Sequence, residues 1–287
     1  MAADGTLTWR ELLAETAGRT GSADEARWLC QEASGLEGSE WFAGLDAAAT
    51  QRAVARLDAM VARRVQGEPL QYVLGHWPFR HLDLLVDRRV LIPRPETEQL
   101  VDIALALARD LAPPVVVADL GTGSGAIGLA LATELRGDDR LVWLVDVSEE
   151  AVEVARANLA GIGRAAVHVM VGTGSWFAAL PDELRGALGL VVSNPPYVAE
   201  SDPALEPVVR DWEPPGALFA GSDGLAAIGH VVRGAAEWLR PEGALVCEIG
   251  TAQGAAASSR AEAAGLIDVR VERDLAGHER FLVARRA

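Results

Sequence analysis

Seven short apolar runs, most of them separated by stretches of helical periodicity, fill the chain from Pro113 to its end and restrict it to an α/β architecture. The predicted strands are Val115–Leu120, Leu141–Val145, Ala166–Val171, Leu188–Ser193, Ala244–Ile249, Asp268–Glu272 and Arg280–Ala284. Helical stretches fall at Ala126–Leu135, Glu149–Leu159, Leu225–Leu239 and Ala252–Ala264. Strands alternating with helices imply a mostly parallel sheet covered on both faces. The last two strands share only a short link around His278, which is too short for a crossover helix, so they pair antiparallel. The expectation is a Rossmann-like, seven-stranded, mostly parallel sheet with an antiparallel last strand.

The preceding residues differ in texture. From Thr6 to Gly67 apolar residues recur at helical spacing: Trp9, Leu12 and Leu13, then Ala26, Leu29 and Cys30, then Val54, Leu57, Met60 and Val61. Ser22 and Glu25 have the spacing of a capping box, and Gly67 and Pro69 end the region. Tyr72 to Ile92 alternates in short stretches broken by Gly75 and Pro78, as a hairpin does. The predicted organisation is a small all-α domain at 1–71, a β-hairpin linker at 72–92 and a catalytic domain at 93–287.

Charge and composition narrow the chemistry. The formal net charge is −15, which disfavours a protein built to lie on nucleic-acid phosphates. All 26 basic residues are arginine, so lysine Schiff-base chemistry and the phosphate-binding loop with its lysine are excluded. Cys30 and Cys247 read as reduced, buried thiols, and the five histidines do not join them at metal-ligand spacing, so no metal is expected. The chain opens on no signal peptide and contains no membrane-spanning run, so a cytoplasmic location is expected.

Three motifs lie at predicted strand ends. Gly121-Thr122-Gly123-Ser124-Gly125 follows the first strand, where glycines permit a tight turn and the close approach of a ligand to the backbone. Asp146 closes the next strand, where a carboxylate can accept both ribose hydroxyls of an adenosine or can cap the following helix, although Ser148 is the better cap. These two features fit NAD and S-adenosylmethionine equally. The third motif separates them: Asn194-Pro195-Pro196-Tyr197 ends the fourth strand. A planar amino group with a delocalised lone pair becomes a better nucleophile when acceptors hold its N–H groups and aim the lone pair. The Asn194 amide oxygen and the Pro195 carbonyl can be those acceptors. The two prolines fix the backbone, and the flat ring of Tyr197, rather than its hydroxyl, can lie against the planar group. A sheet ending in an antiparallel hairpin suits a methyltransferase better than a dehydrogenase.

Asn-Pro-Pro-Tyr is shared by amino-methyltransferases acting on adenine, cytosine and glutamine. Further segments narrow the resemblance: Glu68–Gly75, Val90–Glu98, Asp119–Gly125, Trp212-Glu213-Pro214, Asp223-Gly224-Leu225 and Asp274–Phe281. Together they resemble the release-factor glutamine methyltransferase family over essentially the whole chain. The resemblance implies a class I S-adenosylmethionine-dependent methyltransferase, with S-adenosylhomocysteine as product. Its substrate would be a class I peptide chain release factor, methylated on the side-chain nitrogen of a glycine-flanked glutamine. The runner-up is an adenine or cytosine N-methyltransferase of DNA or RNA. By motif match, Gly121 to Gly125 would hold the methionine portion, Asp146 the ribose, Trp176 the adenine, and Asn194 to Tyr197 the glutamine. The family commonly has aspartate before that tryptophan, whereas this chain reads Gly172-Thr173-Gly174-Ser175-Trp176. Trp176 can also be read as a core residue, and Trp9, Trp28 and Trp41 as core or docking residues.

Overall fold

Helix α1 (Trp9–Thr20) begins where Thr8 and Glu11 cap each other: the Thr8 side chain accepts from the Glu11 amide at 3.3 Å, and the Glu11 carboxylate accepts from the Thr8 amide at 3.0 Å. A computed structural model describes residues 6–137, 140–203 and 205–287, which fall into two units, one ending at Gly75 and the other spanning His76–Ala287. The first unit continues with α2 (Ala23–Ser34), α3 (Gly38–Gly44), α4 (Gln51–Val65) and α5 (Leu70–Leu74). At α2 the predicted capping box forms only by half. Ser22 accepts from the Glu25 amide, but the Glu25 carboxylate is taken by Arg64 at 2.7 and 2.8 Å. Trp9 and Trp41 meet edge to face inside a core with Leu12, Leu29, Leu57 and Val61, whereas Trp28 is partly exposed. Residues 72–74, expected in the hairpin, finish α5 instead, because Gly75 in the left-handed conformation caps that turn onto the Gln71 carbonyl.

The second unit opens with the hairpin β1 (His76–Phe79) and β2 (Leu82–Leu85), then α6 (Thr97–Ala108), a helix that the sequence reading passes over. There follow β3 (Val115–Leu120), α7 (Ala126–Glu134), β4 (Arg140–Asp146), α8 (Glu149–Leu159), β5 (Val169–Thr173), β6 (Leu188–Ser193), α9 (Pro207–Trp212), α10 (Pro215–Leu218), α11 (Ala226–Trp238), β7 (Leu239–Glu248), α12 (Gly254–Ala263), β8 (Leu266–Arg273) and β9 (Glu279–Arg286). Among the described residues seven strands form one sheet in the order β5-β4-β3-β6-β7-β9-β8, in which β9 runs antiparallel to both β7 and β8. Successive residues of the inner strands point to opposite faces. Val117, Leu190, Val192 and Val246 pack with α6, α7 and α8, while Ala118, Val191, Leu245 and Cys247 pack with α11 and α12. Each fully buried valine or leucine contributes about 1.5–3 kcal/mol, so both faces hold the sheet between helices.

The predicted strand Ala166–Val171 is displaced. Gly163–His168 is a 3-10 turn, and β5 begins at Val169 in register with Val142 of β4. The parallel register then runs on to pair Thr173 with Asp146, which carries the following loop to the edge where Asp146 ends. Chain order reverses between β3 and β6, the place where open α/β sheets form a ligand crevice beyond their strand ends.

Candidate active site

Three strand ends supply the crevice: the glycine loop after β3, Asp146 at the end of β4 and Asn194 just beyond β6. Gly121, Gly123 and Gly125 all have positive φ, at 71°, 56° and 87°, a backbone path open to glycine and strained for other residues. A Cβ on Gly123 would meet nothing within 4 Å, so the backbone at that residue faces open space. The loop is pinned from several sides. Gly121 and Thr122 donate to the Val145 carbonyl, Gly123 donates to Asp146 Oδ2 at 2.9 Å, and Asn158 donates to the Ser124 carbonyl at 2.8 Å. Asn158, buried on α8, also exchanges two hydrogen bonds with the backbone of Leu85 and so ties the loop to the hairpin.

Beneath the loop lies Asp119, which is fully buried. Its Oδ2 accepts from the Thr122 hydroxyl at 2.6 Å and the Gly128 amide at 2.9 Å, while Oδ1 has no hydrogen-bond partner. Burial pushes this carboxyl up to about 7, only partly offset by those two bonds.

Asp146 does not cap α8. Ser148 does, accepting from the Ala151 amide, and Asp146 Oδ1 accepts from the Ser148 amide at 2.9 Å. The Asp146 carboxylate therefore braces the glycine loop and the start of α8 while lining a cavity of about 330 Å³. Trp176 lines the same cavity, with a ring edge 3.8 Å from where a Cβ on Gly121 would lie, and it also rests against the core beside α11. Trp176 therefore lines the cavity and packs against the core from one position. Its φ of 50° is unusual for an aromatic residue, and the Gly174 amide anchors the segment by donating to the Asp146 carbonyl.

Asn194 lines this cavity and also a second one of about 540 Å³, whose walls include Pro195, Tyr197, Arg94 and Arg280. Pro196 faces the first cavity only. The sequence-predicted residues are therefore gathered at one place, with Asn194 at the junction, except Gly125, which lines neither cavity and packs towards Leu129.

Several residues around that junction were assigned no role from sequence. Glu248 ends β7 one step beyond the Cys247–Ser193 pair and is 1% exposed. Its carboxylate accepts from the Thr97 hydroxyl at 2.7 Å and the Tyr197 hydroxyl at 3.1 Å. The Tyr197 hydroxyl thus ties the ring to Glu248. Burial pushes the Glu248 carboxyl up from its ordinary value, and the Thr97 bond and the Arg280 charge pull it back. Burial also pushes up the Tyr197 phenol, helped by the Glu248 charge. Glu213, likewise buried, accepts from the Ile92 amide and Arg94, which joins the Trp212-Glu213-Pro214 and Ile92-Pro93-Arg94 segments. Gly224 approaches Tyr197 so closely that a Cβ would lie 2.3 Å from its carbonyl oxygen, and Gln253 donates to that same oxygen at 3.0 Å. A carboxylate directly after the apolar run Ala244–Cys247, as Glu248 is, is the signal that could have marked it.

The chain is similar to known proteins over most of its length. A family profile described as "PrmC N-terminal domain" matches residues 7–75, and one described as "Methyltransferase small domain" matches residues 100–210. The chain is 42% identical to the "Release factor glutamine methyltransferase" of Gloeobacter violaceus over 98% of this chain and 96% of that one. It is 42% identical to the protein of that name from Burkholderia pseudomallei over 89% of each chain, and 37% identical to that of Bifidobacterium longum over 91% of each. Among solved structures, the hMettl16 catalytic domain in complex with MAT2A 3'UTR hairpin 6 superposes with a TM-score of 0.54 and 15% identity over 82% of this chain and 81% of that one, a likeness of fold. Among the described residues no helix is long and apolar enough to cross a membrane.

Proposed function

Because the chain belongs to the release factor glutamine methyltransferase family, we propose that it methylates the side-chain amide nitrogen of the glutamine in the Gly-Gly-Gln motif of class I peptide chain release factors, using S-adenosylmethionine. The observation that carries the reading is the position of Asn194 between two cavities, one beside the glycine loop and Asp146, the other beside Pro195 and Tyr197. The first cavity suits the cofactor: its backbone is glycine-lined, and Asp146 offers a carboxylate to a ribose. The glycine loop would hold the methionine portion, Asp146 the ribose and Trp176 the adenine. Bound S-adenosylmethionine supplies an electrophilic methyl group on a sulfonium.

The residues of this chain supply the rest. An amide nitrogen is a poor nucleophile, so it must be aimed. Asn194 Oδ1 and the Pro195 carbonyl accept its N–H groups and leave the lone pair directed at the methyl group, and these bonds strengthen as positive charge develops on nitrogen. Tyr197 covers the flat face of the amide. No strong base is needed, because the methylated nitrogen loses its proton to water. An exposed glycine-flanked glutamine can reach such a crevice, and the helical unit ending at Gly75 would grip the remainder of the release factor. Such a substrate would put the enzyme in the cytoplasm.

Mass spectrometry of a release factor incubated with enzyme and labelled cofactor tests the reading. The expected result is one methyl group on the glutamine of the Gly-Gly-Gln motif. Label recovered in the bases of DNA or RNA instead, with tight and steeply salt-dependent binding, would overturn it.

A further inference from the structure

Asn194 helps an amide nitrogen only if its oxygen, not its own nitrogen, faces the acceptor, and a planar carboxamide fills the same space either way round. The side chain is held by a chain of bonds that joins the walls of the two cavities, Thr97 in the first and Tyr197 in the second, through Glu248. Asn194 Nδ2 lies 3.4 Å from Thr97 Oγ1, Thr97 Oγ1 lies 2.7 Å from Glu248 Oε2, and the Tyr197 hydroxyl lies 3.1 Å from Glu248 Oε1. Thr97 is 3% exposed and Glu248 1%, so water has little access to this chain.

The chain has a direction. A carboxylate can only accept, so the single hydroxyl proton of Thr97 is committed to Glu248. Thr97 Oγ1 then has only lone pairs to offer, and only a donor can satisfy them. Of the two ends of the Asn194 carboxamide, only Nδ2 donates. Its Oδ1 is therefore turned away from Thr97 and left to accept from whatever lies in the crevice. The second carboxylate oxygen holds the Tyr197 proton and fixes the ring beside it.

We infer that Glu248, acting through Thr97 and Tyr197, is a positioning residue that sets the polarity of the methyl-acceptor site, making it select a planar group that presents N–H donors. This rests on the function proposed above and adds to it residues from α6 and β7 that lie outside the Asn-Pro-Pro-Tyr motif.

Glu248→Gln in the full-length protein tests it, since glutamine keeps the shape but places a donor where Thr97 now finds only acceptors. In single turnover with a class I release factor, the rate is expected to fall about ten-fold or more, the scale of losing one preorganised polar contact. Affinity for S-adenosylhomocysteine should stay within about two-fold, and melting temperature should change little. Thr97→Val should lose rate similarly and Thr97→Ser should recover most of it. The Asn194 side-chain NH2 resonances, assigned by their loss in Asn194→Ala, should shift and exchange faster in Glu248→Gln. A wild-type rate with unmoved resonances would overturn the inference, as would a rate loss that only tracks cofactor affinity or thermal stability. If Glu248→Gln does not fold, the Thr97 pair decides: equal rates for valine and serine overturn it. Failure of the wild-type enzyme to methylate any release factor would instead strike the proposed function, and the resonances would still decide the polarity of Asn194.

Discussion

The amide of Gly123 donates to the carboxylate of Asp146 across 2.9 Å, so the residue proposed to hold the ribose also shapes the loop proposed to hold the methionine portion. Removing it should cost twice over. Asp146→Ala is expected to weaken S-adenosylhomocysteine binding by about 1.5–3 kcal/mol, the range for charge-assisted hydrogen bonds. Asp146→Asn, which keeps one acceptor, should fall between. Calorimetry giving an unchanged dissociation constant for Asp146→Ala would reduce Asp146 to a brace.

Asn194→Ala removes the acceptor proposed to act on the developing positive charge. Single-turnover rates on a glycine-flanked glutamine substrate should fall by about two to three orders of magnitude. Cofactor affinity should change less. Asn194→Asp keeps an acceptor and should retain partial activity, because it can still bind the N–H groups. A wild-type rate in Asn194→Ala would refute the mechanism.

Asp119 couples the glycine loop to pH. Its folded value, about 7, lies above the ordinary value of 3.8, so the folded chain holds this proton more firmly than the unfolded one. The stability contributed is fully present below about 4, is lost as pH rises towards about 7, and stays lost above it. Asp119→Asn cannot titrate. Its melting temperature relative to the wild type should therefore rise between pH 4 and 7 and then level off, and a difference that is flat across that range would contradict the assignment.

Gly224 has a φ of 69° and leaves no room for a Cβ against the Tyr197 carbonyl. Left-handed strain together with the collision should cost Gly224→Ala about 2 kcal/mol or more, seen as a melting temperature lowered by about 4–8 °C. Methylation should fall further than stability alone explains, because the clash pushes on Tyr197. Gly18→Ala, where nothing lies within 4 Å and the helix gains propensity, is the neutral control.

The sheet and its closing hairpin were legible because period-two and period-3.6 patterns are written locally, and Asp119 to Gly125, Asp146 and Asn194 to Tyr197 each end a recognisable strand. Helix α6 was missed because Thr97–Ala108 is apolar on nearly every turn past its start, which blurs the periodicity. Thr97, Asn158 and Glu213 carried no local signal for a different reason. Their meaning lies in partners 34 to 151 residues away, such as Thr97 with Glu248, and only the sheet order brings those partners together.

One side chain, Asn194, forms part of the wall of both cavities. Two ligands that share a wall cannot bind independently unless that wall is indifferent to both. By thermodynamic reciprocity, whatever factor S-adenosylhomocysteine applies to the affinity for the glutamine segment, the segment must apply to S-adenosylhomocysteine. The spent cofactor and the unreacted protein should therefore report on one another through the orientation of a single carboxamide.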